Sequence, residues 1–127
     1  MASSKARIYR TVFPLLARTA TPTSAEFDDK DHVRTGGHFV IDVTAIGAAP
    51  SITPVIQAFD ALSGKWYTLL TGSAINTVST NVLRVYPGAP TVANASSPDF
   101  IPGRWRFGMT HGNADSITYC VSSLMQD

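Results

Sequence analysis

Residues 39–44 set Phe39, Ile41 and Val43 on one side of the chain and Val40, Asp42 and Thr44 on the other. A period of two builds a pleated strand with one buried face; a helix repeats its apolar positions at three and four. The same signature returns between turn signals along most of the chain. Residues 51–60 align Ile52, Pro54, Ile56 and Ala58, and Pro54, which cannot donate to a ladder, belongs on an edge or near the strand's start. Ser63-Gly64-Lys65 turns that strand back into residues 66–70 as a hairpin. Residues 72–79 have room for a short strand around Ile75. Residues 81–86 form another strand, stopped by Pro87-Gly88, and 89–102 read as a long loop. Near the C-terminus, Trp105, Phe107 and Met109 alternate with Arg104 and Arg106, and Ile117, Tyr119 and Val121 answer them after the turn at 111–115. These last two strands are expected to pair as a hairpin with an aromatic seam. No segment has the apolar spacing of an amphipathic helix. With 127 residues, the pattern predicts one all-β domain, a single β-sandwich (jelly-roll-like) or a barrel.

The N-terminus departs from this pattern. Lys5, Arg7, Arg10 and Arg18 are four cations within eighteen residues that hold no carboxylate, whereas residues 19–127 hold the other six Lys and Arg against all nine Asp and Glu, so +4 is joined to −3. The segment also carries Ile8, Tyr9, Val12, Phe13, Leu15 and Leu16. Pro14 removes a helical hydrogen bond and disfavours a helical Phe13. Residues 1–25 are therefore expected to be an extended arm on a body of residues 26–127. Its contact residues would be Lys5, Arg7, Ile8, Arg10, Val12, Phe13, Leu16 and Arg18. Removing residues 2–18 is expected to leave a folded, soluble body.

Charged residues make up 15% of the chain, below the roughly 25% of ordinary soluble domains, and 26 Ser and Thr take their place. A polar surface poor in charge can pack on neighbours while desolvating few ions. A net charge of +1 gives no global attraction to nucleic acid or anionic membrane. Cys120 is the single cysteine, which excludes an internal disulfide framework and suits synthesis in a cytoplasm. No apolar run is long enough for a membrane helix, and Arg7, Arg10 and Pro14 interrupt any secretory h-region.

Catalytic chemistry finds few candidates. His38 and Asp42 share a strand face but stand about 13 Å apart along it, and His32 and His111 lie in loops. Asp28, Asp29 and Asp31 beside Glu26 lack the spacing of a calcium loop; an acidic turn, or an ion-pair partner for a neighbour's arginine, fits them better. Cys120 has no base nearby in sequence. Trp66, Tyr67, Tyr86, Trp105 and Tyr119 could form a platform for sugars or single strands, but their alternation suits core packing, with Tyr67 and Tyr86 the two expected outside it. Arg84, Arg104 and Arg106 form a basic stripe only if their strands are neighbours. No catalytic residue, metal or cofactor is expected.

Residues 39–45, Gln57-Ala58-Phe59-Asp60, Ser63 through Leu70, Val82 through Gly88, Pro102 through Arg106 and Ala114 through Tyr119 occur in an order that resembles the small β-rich structural proteins of tailed double-stranded DNA bacteriophages. The resemblance spans roughly residues 37–122. It implies a non-enzymatic virion component, most of all a head decoration (cement) protein on the capsid surface. Such a protein would bind the major capsid protein, form a homo-oligomer with a trimer favoured, and make no direct contact with membrane or nucleic acid. A tail or neck component is the alternative. From another class, a host-surface carbohydrate-binding module would use Tyr67, Tyr86 and the loop 89–102.

Overall fold

The structure is a computed structural model that describes residues 7–29 and 36–126. Lys5, Asp31, His32 and the side chain of Arg7, named above, lie outside what it describes. Among the described residues, nine strands stack as two sheets. They are β1 (Arg7–Arg18), β2 (Ala25–Asp28), β3 (Gly36–Ile46), β4 (Ile52–Asp60), β5 (Lys65–Thr71), β6 (Ser79–Val85), β7 (Ser96–Ser97), β8 (Arg104–His111) and β9 (Ile117–Gln126). The first sheet runs β1-β9-β3-β6-β7 and the second β2-β8-β4-β5. The fold is thus an all-β sandwich, and no helix occurs among the described residues.

The alternations of the sequence become the inner faces of these sheets. Phe39, Ile41 and Val43 of β3, Leu83 and Val85 of β6, and Ile117, Tyr119, Val121 and Met125 of β9 line the first sheet. Ile52, Ile56 and Ala58 of β4, and Trp105, Phe107 and Met109 of β8, line the second. Aromatic rings join the two layers: Phe39 meets Trp105 edge-on at 5.5 Å and stacks on Phe107 at 5.9 Å. Pairs of this kind add about 0.5–1.5 kcal/mol to what the buried area supplies.

Hairpin β4–β5 forms as expected. Gly64 takes φ +71° at the turn, and the Asp60 carboxylate accepts from the Leu62 amide at 3.1 Å and the Ser63 hydroxyl at 2.7 Å. Pro54 is near the start of β4 but inside the sheet. Its missing donor falls where β5 has ended, and its carbonyl accepts from Gly72 at 2.8 Å. Ile75 makes an isolated bridge to Ile52 in place of the short strand.

Two expectations are corrected. β8 and β9 do not pair: β8 lies between β2 and β4, and β9 between β1 and β3. The turn after His111 carries the chain from one sheet to the other, so Phe107 and Tyr119 meet through Phe13, which packs edge-on to both at 6.2 and 6.5 Å. Also, the Arg7–Arg18 part of the expected extended arm belongs to the sandwich itself. It is an edge strand paired antiparallel with β9 from Arg7↔Gln126 to Arg18↔Ile117. Bulges fall between Thr11 and Phe13 and between Phe13 and Leu16. The first turns two consecutive residues, Val12 and Phe13, into the core at 6% exposure each. Pro14 occupies the irregular stretch, where a missing N–H interrupts no ladder. Truncation through residue 18 would therefore open the core.

Candidate functional site

The expected contact residues divide into three groups. Val12 and Phe13 are core. Arg10 and Arg18 face polar partners within the chain. Leu16 is 57% exposed, with Leu15 at 58% next to it; Tyr9, at 72%, stands at the other end of β1, and Ile8 is half-buried.

Arg10 projects inward from the edge of the first sheet and grips Asp29, just past β2, with Nη1–Oδ2 at 2.9 Å and Nη2–Oδ1 at 2.6 Å. Its guanidinium also lies 5.2 Å from the Phe27 ring centroid. The acidic turn thus finds its arginine in the same chain.

Arg18 donates to the carbonyls of Pro14 at 2.7 Å, Leu16 at 3.2 Å and Tyr119 at 2.9 Å. These bonds satisfy carbonyls that the bulge takes out of the ladder. The guanidinium also covers the Tyr119 ring at 4.5 Å. Tyr119 is fully buried, and its hydroxyl shares a 3.0 Å hydrogen bond with His111 Nε2. Burial lowers the His111 pKa, and the Arg18 charge adds to that. Burial pushes the Tyr119 phenol up to about 12, against the opposing pull of Arg18. Both groups are therefore held neutral. Nothing in the sequence marked this trio, because His111 begins a turn and its partners lie on other strands.

The arginines named for recognition do not form one stripe. Arg84 stands on the outer face of the first sheet, opposite His38. Arg104 and Arg106 stand on the outer face of the second, where rings hold them. Arg104 lies 4.3 Å from the Phe59 centroid and 5.4 Å from Trp66, and Arg106 lies 4.2 Å from Trp66. Arg106 Nε donates to Gln57 at 2.7 Å and Arg104 reaches Glu26 at 3.3 Å. Hairpin register brings Phe59 beside Trp66, a signal that was present in the sequence.

Trp105 and Tyr119 are core, as alternation indicated, and Tyr67 is 44% exposed on the edge strand β5. Tyr86, at the end of β6, lines a cleft of about 310 Å³ with Gly36, His38, Pro87 and Leu124. A second cleft of about 260 Å³ lies over Ile41, Ile75, Asn81 and Asn94. His111 and Tyr119 line neither. Tyr67 and Tyr86 belong to different sheets and make no common platform. Cys120 is half-buried, beside Asp42 in register. Among the described residues, no three His, Cys, Asp or Glu side chains gather as metal ligands, and no helix is long and apolar enough to cross a membrane.

No protein-family model and no curated protein matches the chain. Among solved structures it is similar to a chain from the structure of infectious bursal disease virus, Gx strain, at 11% identity and a TM-score of 0.48. That alignment covers 98% of this chain and 33% of the other, so this chain spans about a third of its length.

Proposed function

We propose that the chain is a non-enzymatic virion structural protein, a decoration protein that binds the head shell of a tailed bacteriophage from its outer surface. The observation that carries this reading is the exposed apolar edge of β1. Leu15 and Leu16 are 58% and 57% exposed on a strand blunted by bulges and Pro14, so the edge offers side chains in place of free ladder groups. Covering the exposed part of both leucines on a shell would contribute about 1–2 kcal/mol each before ordering costs, repeated at every copy. The ordered resemblance of residues 37–122 to phage structural proteins supports the same reading. So does the low charge of the surface.

Cosedimentation of the purified chain with empty heads tests the proposal. Binding that falls at least tenfold in Leu15→Ser/Leu16→Ser, with an unchanged melting temperature, is the expected result. Equal binding by that variant would remove β1 as the docking edge. Binding to purified tails with none to heads would move the protein to the tail or neck.

A further inference from the structure

The outer faces of the two sheets differ in chemistry. On the second, Arg104 pairs with Glu26, Arg106 donates to the neutral Gln57, and aromatic rings lie against both guanidinium groups. On the first, register sets side chains in rows across four strands. Tyr9, Leu124, His38 and Arg84 form one row, and Thr11, Ser122, Val40 and Val82 the next. Cys120, Asp42 and Thr80 form a third. Among the described side chains of these rows there is one cation, Arg84, and one anion, Asp42. The rest are apolar, thiol, hydroxyl-bearing or imidazole groups, so covering this face desolvates only two full charges, the expensive kind to bury.

We propose that this face packs against the same face of a second copy about a twofold axis. Arg84 and Asp42 lie two rows and one strand apart, about 14 Å at ordinary strand spacings, too far to pair within one chain. A twofold axis in the plane of contact, crossing between them at Val40 and Val82, brings each Arg84 onto the other copy's Asp42. The contact is isologous: the residue that donates on one side accepts on the other. Thr80 Oγ1 donates to Asp42 Oδ1 at 3.0 Å and holds the carboxylate on this face. Ser122 falls near the axis, between its own copy and the mate. The extent is adequate. Four strands at about 4.8 Å spacing, averaging about 33 Å in length, present about 630 Å², against roughly 800 Å² per partner in a standard interface. Such a contact closes at two copies, in place of the trimer expected from the resemblance. It rests on the chemistry of the face and holds whether or not the partner shell is a phage head.

Sedimentation equilibrium of the full chain tests it. Twice the single-chain mass of 13.6 kDa is expected at micromolar concentration. Val82→Arg and the exposed Ser122→Arg should each give monomers with an unchanged melting temperature. Arg84→Asp or Asp42→Arg should weaken the dimer about tenfold or more, and the two together should restore it, as coupled charges across an interface do. A monomer up to millimolar concentration, a trimer, or a dimer indifferent to these substitutions would overturn the proposal. Head binding separates the two readings. A monomer whose head binding is lost in Val82→Arg leaves the virion role standing and assigns this face to the shell. A dimer that binds no head leaves the pairing standing and removes the virion role.

Discussion

Arg10 and Asp29 join the open edges of the two sheets through a bidentate contact of 2.9 and 2.6 Å. No strand of one sheet is laddered to a strand of the other, so this pair helps close the sandwich where β1 and β2 are its open edges. The Asp29 side chain is only 9% exposed, which makes losing its arginine there costly.

Arg10→Ala should therefore destabilise the fold by about 1–3 kcal/mol, between a surface pair and a buried one. Urea unfolding checks this. A change under about 0.5 kcal/mol would make the contact incidental.

Phe13→Ala removes a ring that packs on both Phe107 and Tyr119 and should cost about 3–5 kcal/mol. Deleting residues 2–18 should leave an unfolded or aggregated chain by circular dichroism. A cooperative melt of the deleted chain would mean that β1 is dispensable to the core.

The His111–Tyr119 pair should make stability depend on pH at both extremes. His111 has a lowered folded pKa, so the unfolded chain takes up its proton first. Its contribution is complete above about pH 6.5 and is lost as pH falls through the folded pKa. Tyr119 has the opposite sign. Its contribution is present below about pH 10 and is lost as pH rises toward its folded value of about 12. Melting temperatures from pH 7.5 to 5 should fall further in the wild type than in His111→Gln. Ultraviolet titration should show a tyrosine ionising near pH 12, and Tyr119→Phe should abolish that late step.

Gly36→Ala should be the most disruptive glycine substitution at the start of β3. A Cβ at Gly36 would meet the Val85 carbonyl and the backbone of Tyr86, neither of which can swing aside. Loss of soluble expression, or a melting temperature lowered by several degrees, is expected. Wild-type stability would show that β3 and the end of β6 can separate at little cost.

By itself the sequence determined which way side chains face. Phe39, Ile41, Val43, Trp105, Phe107, Ile117, Tyr119 and Val121 were legible as inward residues, because period-two alternation is a local property of an extended chain. The Ser63–Lys65 turn was legible for the same local reason. Beyond that one hairpin, strand partnership was decided only by the tertiary structure. Ladders form between backbone groups that nearly every residue carries alike, so nothing in the residues told β9 to pair with β1 and β3 and leave β8 to the other sheet. The N-terminal segment was misjudged for a related reason. Its bulges broke the alternation, and without that signal Val12 and Phe13 looked like the grip of a free arm. The Arg10–Asp29 clasp, the His111–Tyr119–Arg18 cluster and the row that ends in Arg84 all join residues distant in the chain, and only the folded sheets bring them within reach.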